Sequence, residues 1–339
     1  MTTTTGLVRG SPLSRAARAA RAARGAAARG KTVGAPLGKA AIVGFLVVVI
    51  TFVLGKAVLG NPGRLVLGPT ALQEAVDQFN AALGLDRPVL VQFGDYLGDL
   101  LRGDLGESFA YTGTSVWDIV RPALGVSALL ALLTVVVSAV VALVAGTAAA
   151  MTRTRGVDYA IRGVSLSALS TPAPFVSLLF ILLLAVNTRV LPAGGWPERM
   201  VERGPYLVLP VAALTVGLAP ILLRVVRERA LVQLEEPHIE AALARGLPAR
   251  RVLTRHVLPN CAGPLVIVTA MNMGTLLSGA VVVEIVFGLP GLGRVLAAAV
   301  GSSDIPVIQA VALVAGLLVT LCNVAAELVQ RWIDPRLRS

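Results

Sequence analysis

The chain has 339 residues, 55% of them hydrophobic and only 14% charged, with a mean hydropathy of +0.79. Ordinary soluble domains carry about 25% charged residues, so this composition excludes both a soluble globular enzyme and a disordered chain. The net charge of +11 would suit nucleic acid, but the placement of the charges gives a topological reading instead.

The apolar residues are gathered in six runs, 40–60, 124–150, 164–187, 205–224, 264–286 and 307–330. Each is about 20 residues long, enough to cross a hydrocarbon core about 30 Å thick. In lipid each must be helical, because every backbone group needs a partner within the segment. The expected fold is therefore an all-α integral membrane protein with six transmembrane helices.

Residues 1–39 form a basic, low-complexity extension with eight Lys/Arg and no acidic residue. Cationic tracts without apolar anchors stay disordered; the Arg-Ala-Ala spacing otherwise suits a basic helix on the inner leaflet. Gly25 to Thr32 satisfies the phosphate-loop pattern G-x-x-x-x-G-K-[ST]. A working P-loop needs a strand before it and a helix after it. Here an Ala/Arg tract precedes and Val-Gly-Ala-Pro follows, so the match is a coincidence. Any ATP chemistry must sit on another chain.

The run 40–60 is too long for a signal peptide core, and five more follow; Lys56 near its end snorkels to water. The polar segment 61–123 is expected to form a helical cap. Within it Leu90, Phe93, Leu97 and Leu101 recur at helical spacing and Gly103 follows as a stop, with Trp117 near the bilayer surface. The run 164–187 contains Ser170-Thr171-Pro172-Ala173-Pro174, where two prolines bend or break a helix. Broken helices line pathways in many transporters, so Pro172 and Pro174 are pathway candidates.

The segment 225–263 is the most informative part of the chain, a polar, basic interruption between two long apolar runs. Val226, Leu231, Leu234, Ile239, Leu243 and Leu247 give a discontinuous apolar stripe. Ala241, Ala242 and Ala244 make one short helix compact. Gly246 permits a change of direction that a Cβ resists. Arg250, Arg251 and Arg255 follow, and Leu258-Pro259 ends a second short helix. This is the layout of a short helix presented sideways to a partner. Beyond it, Gly288, Gly291 and Gly293 are interrupted by Pro290 and follow no strand, so they read as a tight turn into a short helix and not as a dinucleotide loop.

With the N-terminus inside, the inside segments hold 21 Lys/Arg against 6 Asp/Glu, and the outside segments hold 8 against 11. That is the positive-inside bias. It places both termini and the 225–263 loop in the cytoplasm, and assigns the basic excess to anionic lipid and a cytoplasmic partner. No nucleic acid is needed to explain it.

The pattern Glu240-Ala241-Ala242, Gly246, Val257-Leu258-Pro259 resembles the EAA loop of ABC-importer permeases. Further landmarks in the same order extend the likeness over about residues 40–339: LGLDRPVLVQFGDYLGDLLRGDLGES, STPAPFVSLLFILLL, RVLPAGG, VVVEIVFGLPGLGRVL and IDPRLRS. Together they resemble the first, B-type membrane subunit of the dipeptide/oligopeptide permease family. Pro237-His238 departs from the Asp-Tyr usual in that subfamily.

The resemblance implies a type I ABC importer permease fold in a bacterial plasma membrane. In such a fold 124–339 is the permease core and Glu240, Ala241, Ala242, Gly246, Arg250 and Arg251 couple it to ATPases. It implies a homologous second permease subunit, two cytoplasmic ATPase subunits carrying ATP and Mg, and an extracytoplasmic peptide-binding lipoprotein. This chain itself would be non-catalytic and hold no cofactor. Nickel, glutathione or another small solute is the alternative cargo within the family. A channel or ion-coupled transporter is the alternative outside it, and would carry paired ionisable residues at mid-membrane and no docking helix.

Eight further residues are singled out by type and place. Glu284 and Glu327 sit near span ends, where a carboxylate reaches water; Glu284 is a pathway or gating candidate by the rule that intramembrane charges are functional. Asn272 and Asn323 lie deeper and suit interhelical hydrogen bonds, Asn272 being the fourth pathway candidate. His238 and His256 lack a metal-ligand set, and Cys261 and Cys322 are packed small residues.

Overall fold

The computed structural model describes residues 38–53, 55–56, 62–68, 70–82, 84, 86–152 and 154–333. The basic extension up to residue 37, its P-loop-like stretch and all but the first residue of IDPRLRS lie outside them.

Among the described residues all regular structure is helical, apart from an isolated bridge between Glu107 and Ser115. The first apolar helix is α1, Gly38–Val53. Three helices follow before the next span: α2 (Pro62–Leu67), α3 (Gln73–Ala82) and α4 (Val89–Leu101). The expected stop is real, since the chain leaves α4 through Arg102 and Gly103. Phe93 and Tyr96 of α4 stack against Phe52 of α1, and Phe93 also meets Phe45. Leu90 and Leu101 stay exposed.

Then come α5 (Val116–Thr152), α6 (Arg155–Ser170), α7 (Ala173–Phe180) with a π-helical extension (Ile181–Asn187), and α8 (Arg203–Leu234). The loop helices are α9 (Pro237–Ala244) and α10 (Ala249–Val252), followed by a π-helical turn (Leu253–Val257). The chain closes with α11 (Leu258–Met271), α12 (Met273–Phe287), α13 (Leu292–Gly301) and α14 (Ile305–Ile333).

Three helices, in α5, α8 and α14, are long and apolar enough to cross a membrane unbroken. Two further spans are bent pairs. α6 and α7 meet at 100°, and the helix running up to Met271 meets α12 at 56°. Counting each pair as one span gives five; α1 is apolar but shorter. The expected runs 164–187 and 264–286 are therefore not continuous helices. The first break falls at Thr171-Pro172, where the backbone is extended because the residue before a proline avoids the helical region. Pro174 starts α7 and does not kink it.

The core forms where α5 and α8 pack together, with α7, α11 and α12 around them. Leu130, Ala142 and Ala150 of α5 meet Leu222, Val226 and Ala230 of α8 in this cluster. Lipid tails are as apolar as these side chains, so close van der Waals fit, helped by small residues, holds such helices together. A second cluster joins Val116, Val120 and Ala123 of α5 to α13 and α14. α1 lies along α14: Gln309 Nε2 donates to the Thr51 carbonyl (3.1 Å), and Lys39 pairs with Glu327 (3.7 Å).

Candidate functional site

The two span breaks face one cavity of about 200 Å³. The end of α6 contributes Thr171, α7 contributes Ala173 and Val176, and α8 contributes the stretch from Ala213 to Ile221. The second break contributes Asn272, Thr275 and Gly279. The walls are mostly apolar with three polar side chains. Thr171 spends its hydroxyl proton on the Ser167 carbonyl (2.6 Å). Asn272 Nδ2 donates to the Val268 carbonyl (2.8 Å). A side-chain amide has a second N–H and two oxygen lone pairs, so Asn272 keeps hydrogen-bonding capacity toward the cavity.

Of the four expected pathway residues only Asn272 lines this cavity. Pro172 makes the break, while its neighbours Thr171 and Ala173 form the wall. Pro174 does not reach it. Glu284 lies elsewhere, and the expectation that it reaches water is wrong: it is 1% exposed. Its Oε1 accepts from Ser127 Oγ (2.6 Å) and its Oε2 from the Gly293 amide (2.7 Å). A buried carboxylate is tolerated when donors replace its water.

The 225–263 loop folds as two short helices around a third, smaller core. Ile239, Ala242 and Val252 are buried there, with Leu234 and Leu247 packed against them. The turn after α9 has the Schellman pattern. The Leu247 amide donates to the Ala242 carbonyl (3.2 Å) and the Gly246 amide to the Leu243 carbonyl (2.9 Å). Gly246 sits at φ +80, the left-handed conformation that a side chain disfavours. Below α9, Asn260 Nδ2 donates to Gln233 Oε1 (2.8 Å), tying α11 to α8.

The helix phase divides the expected coupling residues. Glu240, Ala241, Arg250 and Arg251 are exposed. Ala242 turns inward, because residues 239 and 242 share the face that meets Val252. Leu243, expected in the buried stripe, is 46% exposed and borders an apolar cleft with Met151 and Leu253. His238 and His256 lie side by side, ring centroids 6.2 Å apart.

Sequence reasoning missed Asp304. It immediately precedes α14 and is 1% exposed. Ser108 Oγ donates to its Oδ2, and the amides of Phe109 (3.1 Å) and Ala110 (3.3 Å) donate to the same carboxylate. The available signal was an acidic residue at a helix start; its partners, almost 200 residues away, left none.

Comparison with known proteins places this geometry among relatives. Residues 142–339 match the family described as "Binding-protein-dependent transport system inner membrane component", and residues 35–131 match the N-terminal portion of the same kind of component. A probable D,D-dipeptide transport system permease protein of Escherichia coli is 31% identical over 315 residues, covering 86% of this chain and 92% of the relative. A probable peptide ABC transporter permease of Sinorhizobium fredii is 31% identical over 296 residues, covering 86% and 94%. An oligopeptide transport system permease of Bacillus subtilis is 30% identical over 296 residues, with the same coverage.

Proposed function

This chain belongs to the binding-protein-dependent transport system inner membrane components, and from that membership we propose that it is one of two membrane subunits of an ATP-driven importer of short peptides. The names of the relatives support the peptide cargo. The observation that carries the coupling is the 225–263 loop, which holds Glu240 and Ala241 on the outward face of α9 with Arg250 and Arg251 exposed beside it.

In this reading the chain spans the membrane six times, with α1 and both bent pairs each counted as one span and both termini cytoplasmic. The positive-inside distribution supports that orientation. Segment 61–123 then lies outside, where a peptide-binding lipoprotein delivers cargo. α9 docks on one of two ATPase subunits, which bring ATP and Mg. A homologous second permease supplies the other half of the pathway, and the 200 Å³ cavity is this chain's share of it.

The fold connects the two sites. α8 ends beside α9 and lines the cavity from Ala213 to Ile221; at 1.5 Å per residue, the part between is about 20 Å of continuous helix. α11 leaves the same loop and ends at the Asn272 break. A shift of α9 on ATP binding is thereby carried along two helices to the cavity, where the bends offer the second arrangement that switching requires.

Co-expression with the candidate partners and purification through a tag on this chain tests the assembly. The expected result is a complex containing two ATPase copies and a second permease, with Glu240→Lys losing the ATPases and keeping the permease. Retention of the ATPases by Glu240→Lys, or recovery of this chain without any ATPase, would overturn the docking role.

A further inference from the structure

Transport as derived above makes no use of Glu284, although among the described residues it is the most thoroughly buried acidic side chain in a span. Among the described residues no Lys, Arg or His forms an ion pair with it. Its compensation comes from backbone. The Leu292 amide donates to Ser127 Oγ (2.8 Å), so the hydroxyl proton of Ser127 is directed to Glu284 Oε1 (2.6 Å). Gly293 N–H donates to Oε2 (2.7 Å). Ser127 Oγ and the Gly293 amide thus both meet the same carboxylate.

Gly293 and Arg294 are the second and third residues of α13, the amides that an N-cap side chain normally satisfies. The N-cap residue here is Gly291, which has no side chain. The cap is delivered from another helix. A Cβ on Gly291 would collide with the Glu284 carboxylate, so the missing side chain is what admits the cap. The N-terminal dipole of α13, equivalent to about half a positive charge, favours an acceptor oxygen at this position.

We propose that Glu284 is a positioning residue. Its carboxyl group is the internal cap of α13, and with Ser127 it fastens α5, α12 and α13 into one body at the end remote from the docking loop. Switching then bends the protein at Thr171-Pro172 and Asn272 and leaves this end of α12 rigid. The role in switching rests on the importer reading; the clamp itself does not.

Two measurements separate those parts. Amide hydrogen exchange on this chain alone, in lipid nanodiscs, reads the clamp. The segment 288–301 should exchange at least tenfold faster in Glu284→Ala than in the wild type, with α8 unaffected; equal exchange would overturn the clamp. In the assembled transporter, Glu284→Gln and Gly291→Ala should each cut peptide uptake at least tenfold, while ATP hydrolysis loses its dependence on loaded binding protein. The double variant Glu284→Asp/Gly291→Ala, in which a shorter acid makes room for the methyl group, should regain most of the uptake. Hydrolysis and uptake falling together, in proportion to assembled complex, would overturn the positioning role. A wild-type complex that hydrolyses no ATP would remove the importer reading and, with it, the switching role, while the exchange result still decides the clamp.

Discussion

Thr171 and Asn272 lie about a hundred residues apart in sequence and face the same cavity, each at the break of a bent span. A helix break in lipid leaves backbone groups without partners, so it persists only where protein or enclosed water satisfies them. In the proposed importer, two such breaks around one cavity form this chain's share of the pathway.

Filling the cavity should block it. Gly217 lines the cavity and has no heavy atom within 4 Å of where a Cβ would stand, so the side chain of Gly217→Leu starts in open space. The expected outcome is normal membrane insertion and at least a tenfold loss of uptake, measured with labelled peptide in vesicles. Full uptake would take the cavity out of the pathway.

Gly246 tests the loop through its backbone alone. At φ +80 it has open space around it, so a substitution meets no steric neighbour and pays only for the left-handed conformation, about 1–2 kcal/mol. Gly246→Val should loosen the end of α9 and abolish ATP-dependent uptake. Gly246→Asn, whose side chain tolerates that conformation, should keep most of it. Comparing the two uptake rates checks the assignment.

Neighbouring alanines should respond in opposite ways. Ala242 is buried against Ile239 and Val252, so Ala242→Leu overpacks the small core and should destabilise the loop by about 1–3 kcal/mol, visible as faster proteolysis of 235–263 in the chain alone. Ala241 is exposed. Ala241→Leu should leave proteolysis unchanged and weaken ATPase binding instead, measured by co-purification.

Asp304 holds segment 108–110 by three donors. Asp304→Ala leaves the buried Ser108 hydroxyl without its acceptor, a loss of about 1–3 kcal/mol, and frees the half-buried Phe109 and exposed Ala110 amides from their anchor. Faster amide exchange across 104–115, with exchange in α8 unchanged, is the expected result.

What the sequence revealed divides along physical lines. Local chemistry was legible. The prolines at 172 and 174 announced a break, Gly246 announced the left-handed turn, and the spacing of Leu90, Phe93, Leu97 and Leu101 announced α4. The break at Asn272 was hidden, because an asparagine is carried equally well inside an unbroken span: Asn323 within α14 makes the same side-chain bond to the carbonyl four residues back. Leu243 and Ala242 exchanged their expected places because the hydrophobic stripe of a helix of about two turns is too short to fix its phase; contact with Val252 fixed it. Glu284 and Asp304 were misjudged or missed because their partners are serine hydroxyls far along the chain and backbone amides, which carry no residue-type signal.

The most direct test of the account is reconstitution of the chain with its second permease, two ATPases and binding protein in sealed vesicles. Uptake of a labelled short peptide is then followed with and without ATP. The account predicts accumulation that requires ATP and the binding protein and that Glu240→Lys abolishes with the chain still inserted. Uptake that proceeds without the ATPases, or that follows an ion gradient in place of ATP, would contradict it.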